Sequence, residues 1–244
     1  RYTNKYKTRN HLQPSIMKEY LKITNECNME LMARYPDNHF DLAIVDPPYG
    51  IGLRFSDKVK FKSNGVMKTT KGHKQKNWNN QSPSDKYFDE LIRVSKKHII
   101  WGCNYYEDNQ GKFGKGRIIH NKLVTPFLKS RNASDADIAA TNCQNRIGVF
   151  DFQWSGNVQN GRMNTKAEND YQLGIEKRIH PTQKPVKLYE WLLKKYAKEG
   201  FKILDTHLGS GSIAIAVDSV NKIEKINLTL TACELDREYY QTAT

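Results

Sequence analysis

Four consecutive residues, Asp46, Pro47, Pro48 and Tyr49, directly follow the apolar run Phe40–Val45. The run has the length and the Ile/Val content of a buried parallel strand. Two prolines end it, because neither can donate to a sheet ladder and each fixes its own φ. The sequence therefore predicts a carboxylate and a free Pro47 carbonyl on a stiff turn at the carboxyl end of a strand. That edge is where open α/β sheets bind ligands.

Two hydrogen-bond acceptors beside an aromatic ring suit the activation of an aromatic amine. Such an amine is a poor nucleophile, because its nitrogen lone pair is delocalised into its ring. Hydrogen bonds from its amino group to the Asp46 carboxylate and the Pro47 carbonyl favour a pyramidal nitrogen and orient its lone pair towards an electrophile. Tyr49 would stack on the base, as aromatic side chains do on unpaired bases. The alternative is a strand ended by prolines, with Asp46 as a cap and Tyr49 in the core.

A second candidate site comes later in the chain. Strand Phe201–Asp205, a Gly-Ser-Gly turn and a helix from Ile213 follow one another. This arrangement presents backbone N–H groups and a positive helix end to an anionic ligand group. A further strand, Leu228–Ala232, ends near Glu234, which is placed to hold two ribose hydroxyls, as acids do in nucleoside-binding sheets. Asp236 is less favoured for that role, because it is expected to start the last helix.

Length and charge limit the class of protein. The chain has 244 residues, with 39 Lys and Arg against 26 Asp and Glu, a formal charge of +13. The length fits one domain, or one domain with an insertion, and the charge indicates a polyanionic partner, with nucleic acid as the first candidate. No stretch approaches the ~18 apolar residues of a membrane span, and the basic start lacks the apolar core of a signal peptide. We therefore expect a soluble cytoplasmic protein with no membrane partner.

The cysteines and histidines do not indicate a metal site. Cys27, Cys103, Cys143 and Cys233 are widely spaced and form no Cys-x-x-Cys pair. The seven histidines also lack the spacing of metal ligands. We expect reduced, buried thiols and no bound metal.

The composition changes sharply after Gly50. Between residues 58 and 76 there are seven lysines, no acid and no apolar periodicity. This composition predicts a mobile loop beside the turn Asp46–Tyr49, which we call the catalytic turn. A lysine run is often only solvated surface, but its position near Asp46 favours contact with nucleic-acid phosphates. The candidate nucleic-acid-binding residues are these lysines and one aromatic residue: Lys58, Lys60, Lys62, Lys68, Lys71, Lys74, Lys76 and Trp78.

Other segments have the alternating strands and helices of a parallel sheet. Ser84 is a good N-cap for a helix with core-facing apolar spacing, and His98–Gly102 is predicted to be the next strand. Arg117–Asn121 and Ile147–Trp154 are two further candidate strands, separated by an Ala/Asp-rich connection. Leu188–Ala197 is predicted to be an amphipathic helix.

Together, these motifs resemble the amino-group DNA methyltransferases, which transfer a methyl group from S-adenosylmethionine to adenine N6 or cytosine N4. Ile44–Gly50 is similar to their catalytic motif, and Asp205–Ser212 to their glycine motif. His180–Pro185 resembles their segment at the methionine end of the cofactor, and Ala232–Asp236 their ribose-binding segment. Ile99–Tyr106 is similar to the strand and turn that wall the base pocket. The catalytic motif precedes the glycine motif, which is the order of the β class.

The resemblance implies an α/β fold: a Rossmann-like S-adenosylmethionine-dependent methyltransferase domain over residues 21–244, with a mostly parallel seven-stranded sheet, helices on both faces and circularly reordered motifs. A basic N-terminal arm, residues 1–20, would precede it, and DNA-contacting loops are expected at about 54–82 and 155–178. The implied cofactor is S-adenosylmethionine. Its implied binding residues are Asn28, Asp46, His180, Thr182, Gln183, Lys184, Asp205, Thr206, His207, Gly209, Ser210, Gly211, Ser212, Glu234 and Leu235.

The resemblance also implies the reaction. Asp46 rather than Ser at the first motif position favours adenine N6 over cytosine N4, and Asp46, Pro47, Pro48 and Tyr49 are the implied catalytic residues. Adenine must be flipped out of double-stranded DNA to reach them, with Tyr49 stacked on the base. The alternatives are a cytosine N4 or RNA methyltransferase, and a DNA-binding relative that lacks catalysis.

The chain departs from the family pattern at two positions. Glu26-Cys27-Asn28 stands where relatives commonly carry an acid that binds the cofactor adenine, and Asn28 or Glu26 is the candidate substitute. His120 stands in a strand where relatives often carry Trp. Arg1 is not a natural first residue, so we expect this sequence to be a fragment or a trimmed chain. No compact target-recognition segment is evident, so specificity is expected to rest on the two loops and on a homodimer copy or a second DNA-binding subunit.

Overall fold

The computed structural model describes residues 18–52, 58–63, 66–71, 76–77, 79–123, 134–155, 158–159, 162–163, 176 and 179–244. Most of the predicted basic arm lies outside these ranges, as do Lys74, Trp78 and much of the predicted loop at 155–178.

Thirteen strands lie within the described residues. Eight of them form the main sheet: β1 (Leu21–Thr24), β2 (Phe40–Val45), β5 (Ser95–Trp101), β6 (Gly116–Asn121), β7 (Ala136–Thr141), β8 (Ile147–Asp151), β12 (Lys202–Asp205) and β13 (Thr229–Cys233). The other five form a hairpin and a small three-stranded sheet: β3 (Lys58–Ser63), β4 (Val66–Lys71), β9 (Trp154–Ser155), β10 (Val158–Gln159) and β11 (Arg162–Met163).

The same ranges contain five α-helices and two 3-10 helices. The α-helices are α1 (Asn28–Ala33), α2 (Asp85–Val94), α3 (Val186–Tyr196), α4 (Ser212–Glu224) and α5 (Arg237–Ala243). The 3-10 helices, Cys103–Tyr105 and Glu107–Lys112, follow β5. No helix in the described part of the chain is long and apolar enough to cross a membrane.

The main sheet has the strand order β1-β13-β12-β2-β5-β7-β6-β8. In the described chain, β7 runs antiparallel to its neighbours β5 and β6, and the other pairings are parallel. The α/β class and the mostly parallel sheet are confirmed, but the predicted count of seven strands was wrong by one. The missed strand is β7, because its Ala/Asp-rich sequence has low strand propensity and only its pairing with two neighbours makes it a strand.

Strand β2 lies at the centre of this sheet, between β12 and β5. Its residues Phe40 and Leu42–Val45 are buried, which explains the continuous apolar run. The carboxyl ends of the parallel strands β2, β5, β12 and β13 meet at one edge. That edge brings together the turns after Val45, Trp101, Asp205 and Cys233.

Helices cover both faces of the sheet, as predicted. On one face, α1 and α2 pack through buried residues such as Leu31, Phe88 and Leu91. On the other face, α3 and α4 pack through residues such as Leu192 and Val217. The described helices thus leave the carboxyl edge of the strands to the connecting turns.

Much of the lysine-rich segment is a hairpin rather than an irregular loop. Strands β3 and β4 pair antiparallel, from Lys58 opposite Lys71 to Ser63 opposite Val66. The prediction of a segment without regular structure was therefore wrong for these residues. The overlooked signal is the dipeptide Asn64-Gly65, which is typical of tight hairpin connections.

Candidate active site

Asp46 lies at the carboxyl end of β2, where Pro47 and Pro48 end the strand. Its Oδ1 atom accepts a hydrogen bond from the Tyr49 hydroxyl at 2.7 Å, and its Oδ2 atom lies 2.7 Å from Nζ of Lys184. The Lys184 ammonium also donates to the Tyr49 hydroxyl oxygen at 3.0 Å. The three side chains form a closed hydrogen-bonded triangle.

The second predicted acceptor, the Pro47 carbonyl, is also hydrogen-bonded. Tyr106, which follows β5, donates its hydroxyl to the carbonyl oxygens of Pro47 at 2.9 Å and Pro48 at 3.1 Å. Burial, and then the charge of Asp46, raises the pKa of Tyr106 above its usual value, so the hydroxyl keeps its proton at neutral pH. Both acceptors predicted for an aromatic amine thus receive a tyrosine hydroxyl in this structure.

The Tyr49 ring is stacked on the ring of Tyr105, with centroids 4.9 Å apart and planes inclined by 15°. It lies against Gly102, which has a φ of +71°, and a Cβ atom at that position would overlap the Tyr49 ring. Gly102 is therefore required both for its left-handed backbone and for space. The sequence predicted a flipped base as the stacking partner of Tyr49, whereas the partner in this structure is Tyr105.

Asn79 connects the catalytic turn to the segment that precedes α2. Its Oδ1 atom accepts from the backbone N–H of Tyr49 at 2.9 Å, and its carbonyl oxygen accepts from the N–H of Gly52 at 3.0 Å. The Asn79 side chain is buried. Asn79 was not predicted from the sequence, because its contact with Tyr49 spans 30 positions and no local pattern signals it.

Several charged side chains lie near Lys184. Asp137 accepts a hydrogen bond from Lys122 at 2.8 Å, and its other oxygen lies 3.8 Å from Nδ1 of His120. Burial raises the pKa of Asp137, but the charges of Lys184 and Lys122 outweigh this effect and leave the pKa below its usual value. Burial also lowers the pKa of His120 to about 4, so this ring is neutral at pH 7.

The glycine turn after β12 contains positive φ angles at Gly209 (+54°) and Gly211 (+75°). Gly209 donates its backbone N–H to the Glu234 carboxylate at 2.8 Å, and the other oxygen of Glu234 accepts from the N–H of Asp236 at 2.8 Å. A Cβ atom at Gly211 would approach Ala243 of α5 to 3.1 Å. The glycine turn and the acid predicted to bind ribose therefore meet at the carboxyl edge of the sheet.

A chain of polar side chains joins α1, α2 and the turn after β12. Nδ2 of Asn28 lies 3.1 Å from Nε2 of His207, Nδ1 of His207 lies 3.0 Å from the Thr206 hydroxyl, and that hydroxyl lies 2.6 Å from the Tyr87 hydroxyl. Burial lowers the pKa of His207 to about 3. The neutral ring can therefore accept from Asn28 at Nε2 and donate from Nδ1. Tyr87 is thus a buried residue of α2 that also belongs to this polar chain.

This chain borders a cavity of about 530 Å³, a size typical of small-molecule sites. The lining is rich in amides and hydroxyls and comes from α1, the catalytic turn, the segment before α2, and the turn after β12. The lining residues are Asn28, Met29, Pro48, Asn77, Asn80, Gln81, Ser82, Pro83, Ser84, Tyr87 and His207. A polar ligand in this cavity would lie between the catalytic turn and the glycine turn.

The segment His180–Pro185 has its residues in different places. The His180 ring packs on Tyr239 at 4.3 Å and accepts a hydrogen bond from the Thr182 N–H at 3.3 Å. The Gln183 side chain is buried and accepts from the N–H of Ile179 at 2.9 Å. Lys184 extends to Asp46 instead. All of these side chains were predicted to bind the cofactor. The pairing of Lys184 with Asp46 was not predicted.

Of the two substitutes for the missing acid, Glu26 is engaged elsewhere. Its carboxylate accepts two hydrogen bonds from Arg34, at 2.6 and 2.7 Å, and one from the Thr24 hydroxyl at 2.5 Å. The hydrogen bond from Arg34 is the main cause that lowers the pKa of Glu26. Asn28 is the substitute that lines the cavity.

The other predicted cofactor residues lie around the glycine turn. Asp205 is buried and accepts from the N–H of His207 at 3.0 Å, and burial raises its pKa to about 8. The hydroxyls of Ser210 and Ser212 lie 2.9 Å apart. Leu235 is 74% exposed, so its side chain is the one least held by the protein.

The described DNA-binding candidates fall into two groups. Lys58, Lys60, Lys62, Lys68 and Lys71 belong to the hairpin β3–β4. Lys76 instead binds the carboxylates of Asp236 at 2.6 Å and Glu238 at 3.0 Å, and its Nζ atom lies 4.3 Å from the ring centre of Tyr239. Lys76 is therefore tied to the start of α5, close in sequence to Glu234.

The metal and thiol predictions concern the histidines and cysteines of the chain. In the described ranges, no cluster of three or more His, Cys, Asp or Glu residues could hold a metal ion. The four cysteines are free; Cys103 and Cys233 are buried, whereas Cys27 and Cys143 are partly buried.

Comparison with known proteins shows a family. The sequence matches the family N6_N4_Mtase, described as DNA methylase, over residues 104–244, which is more than half of the chain. It is 25% identical over 211 residues to the "Putative methylase YubD" of Escherichia coli (strain K12), a match that covers 80% of this chain and 78% of that protein.

Two solved structures share the fold. The PvuII DNA methyltransferase (cytosine-N4-specific) has a TM-score of 0.55 and 11% identity, and the match covers 92% of this chain and 85% of that one. The M1.HpyAVI–SAM complex has a TM-score of 0.50 and 17% identity, and the match covers 91% of this chain and 97% of that one. At these identities the likeness concerns the fold alone.

Proposed function

This chain belongs to the N6_N4_Mtase family of DNA methylases, and we propose that it transfers a methyl group from S-adenosylmethionine to N6 of an adenine flipped out of double-stranded DNA. The main support is the position of Asp46 and the Pro47 carbonyl on the stiff turn after β2, beside the cavity that extends to His207. We assign the β-class motif order to the chain, with the catalytic turn preceding the glycine turn.

The glycine turn, Glu234 and two residues that line the cavity fit S-adenosylmethionine. The positive φ angles of Gly209 and Gly211 turn the backbone towards the edge where Glu234 lies. Glu234 is suited to the ribose hydroxyls, and Asn28 and His207 offer amide and imidazole groups to the polar parts of the ligand. When bound, S-adenosylmethionine supplies an electrophilic methyl group on a positively charged sulfur.

The protein's own part in the reaction is orientation. Asp46 and the Pro47 carbonyl accept the two amino hydrogens of the adenine, which frees the nitrogen lone pair for attack. In this structure the hydroxyls of Tyr49 and Tyr106 donate to these same acceptors. Base entry therefore exchanges two tyrosine hydroxyls for two amino hydrogens. Asp46 acts as an orienting and electrostatic group, because a positively charged sulfur is a good leaving group and no strong base is needed.

We propose adenine rather than cytosine as the target base because of the identity of Asp46. Asp46 rather than Ser at the first motif position supports adenine N6. The likeness of the fold to a cytosine-N4-specific enzyme keeps cytosine N4 as the second candidate.

The DNA contacts are proposed for two regions. The hairpin β3–β4 carries five of the lysines and directly follows the catalytic turn in the sequence. Phosphate contacts of this kind position DNA without reading its sequence. The region 155–178 is the second expected contact, and a homodimer copy or another subunit would complete target recognition.

The test is incubation with labelled S-adenosylmethionine and unmethylated genomic DNA, followed by mass spectrometry of the nucleosides. We expect N6-methyldeoxyadenosine, and a much lower but measurable yield from the matched variant Asp46→Asn, which keeps the shape of the side chain. Label on cytosine N4 would retain the enzyme class and overturn the base assignment. No label with any DNA, together with no cofactor binding, would overturn the proposed function.

A further inference from the structure

We infer that Lys184 is a positioning residue for Asp46 and not a ligand of the cofactor. The inference deepens the proposed function and rests on it. It differs from the role that sequence analysis gave to Lys184, which was to line the methionine end of the cofactor.

The first support is the hydrogen-bonding pattern of the Lys184 ammonium. An ammonium has three N–H donors, and two of them have partners here: Oδ2 of Asp46 at 2.7 Å and the Tyr49 hydroxyl at 3.0 Å. The Lys184 side chain is 4% exposed and that of Asp46 is 16% exposed. A buried ammonium requires a polar partner, so Lys184 keeps its hydrogen bond to Asp46 rather than exchanging it for one to water.

The second support is that the two carboxylate oxygens of Asp46 have different hydrogen-bond partners. Lys184 holds Oδ2, whereas Oδ1 accepts only the Tyr49 hydroxyl among the described residues. Oδ1 is therefore the oxygen that an incoming amino group can use once Tyr49 moves. By fixing Oδ2, Lys184 sets the rotation of the carboxylate and the direction in which Oδ1 accepts.

The third support is an aromatic ring beside the ammonium. The Nζ atom of Lys184 lies 5.2 Å from the ring centre of Trp101, a favourable contact for a cation. Trp101 is the last residue of β5, which pairs with β2. The neighbouring strand therefore also helps to hold the ammonium at the carboxyl end of β2.

The experiment compares Lys184→Met with the charge-retaining variant Lys184→Arg in the full chain. It measures kcat, the KM for DNA, and the dissociation constant of S-adenosylmethionine by calorimetry without DNA. A misaligned catalytic group typically costs about 100-fold in rate. We expect kcat to fall by about that factor in Lys184→Met and by about tenfold in Lys184→Arg, with the dissociation constant of the cofactor unchanged within about twofold.

A double-variant cycle separates positioning from general stability. In the Asp46→Asn background, Lys184→Met should cause little further loss of kcat, because its target is already disabled. If Lys184→Met does not fold, Lys184→Arg carries the same test.

The inference is overturned if either Lys184 variant weakens cofactor binding tenfold or more, or retains the wild-type kcat at saturating cofactor. The wild-type chain in the same assay distinguishes the two proposals. If it makes no methylated DNA, the proposed function fails; if it is active and Lys184→Met is equally active, only this inference fails.

Discussion

The ammonium of Lys76 lies 2.6 Å from the carboxylate of Asp236, although the two residues are 160 positions apart. Lys76 ends the lysine-rich segment, and Asp236 accepts N–H groups at the start of α5 as its N-cap. The contact joins the segment that carries the hairpin to the side of the molecule where Glu234 lies. Lys76 therefore differs from the lysines of the hairpin, and the difference can be measured.

The salt dependence of DNA affinity should separate these lysines. Each phosphate contact contributes about 0.9 to the slope of log affinity against log salt. The triple variant Lys58→Gln, Lys60→Gln, Lys62→Gln should lower that slope by about 2–3, whereas Lys76→Gln should leave it nearly unchanged. Lys222→Gln, at the far end of α4 from the glycine turn, is the control. If the slope fell as much for Lys76→Gln as for the replacement of one hairpin lysine, Lys76 would also be a phosphate-binding residue.

The pairing of Asp46 with Lys184 should appear in stability as well as in activity. Asp46→Ala leaves a buried ammonium without its main partner and should cost on the order of 2–3 kcal/mol of unfolding free energy, the low end for a buried pair because Asp46 keeps some exposure. The double variant Asp46→Ala, Lys184→Met removes both charges and should recover most of that loss. Urea denaturation measures both. Additive losses would mean that the two side chains are not coupled.

The hydroxyl and the ring of Tyr49 should have separate effects. Tyr49→Phe removes the group that donates to Asp46 but keeps the ring, so kcat/KM for DNA should stay within about threefold of wild type. Tyr49→Ala also removes the stacking surface for the base, which is typically worth about 1–3 kcal/mol, or roughly 5–150-fold in kcat/KM. Steady-state kinetics on one DNA substrate compares the pair. Equal losses in the two variants would show that the hydroxyl, not the ring, is required.

Stability should fall as the pH rises through the pKa of Asp205. Burial raises this pKa to about 8 in the folded chain, above its ordinary value of 3.8. The folded state then binds the proton more tightly, so its stabilising effect is complete below the ordinary value and is lost as the pH rises through the folded value. Between about pH 7 and pH 8.5 the loss should be about 1 kcal/mol.

The range from about pH 7 to pH 8.5 lies above the pH at which the histidines affect stability. The folded pKa values of His120 and His207, about 4 and about 3, lie below the ordinary value of 6.5, so these two residues affect stability only at lower pH. Glu176, whose pKa is raised to about 7, acts in the same direction as Asp205. Asp205→Asn should remove the Asp205 part of the slope and leave that of Glu176. An unchanged slope in Asp205→Asn would contradict the assignment.

Much of the fold follows from local sequence chemistry. The apolar run of β2 and the two prolines after it predicted both the central strand and its abrupt end. The glycines at 209 and 211 indicated a tight turn, and the structure has positive φ at both. Strand β7 was missed, because Ala and Asp carry little strand preference and its neighbours β5 and β6 impose its conformation.

Several residues of the candidate site were named from the sequence, but Asn79 and the contacts between these residues could not be predicted. Asp46, Gly209 and Glu234 come from the ends of separate strands, and a parallel sheet brings such ends to one edge. The partners of these residues could not be read from spacing. Lys184, for example, extends to Asp46 across 138 positions while its neighbour His180 packs on Tyr239.

By itself, then, the sequence determined which residues could carry the chemistry and where their strands end, because apolar period, proline and glycine act on the backbone locally. Only the tertiary structure decided which side chains pair at the sheet edge. Hydrogen bonds and ion pairs form over about 3 Å, and such distances between remote segments exist only after the sheet has brought their turns together. The triangle of Asp46, Tyr49 and Lys184 and the bridge from Lys76 to Asp236 both belong to that second kind.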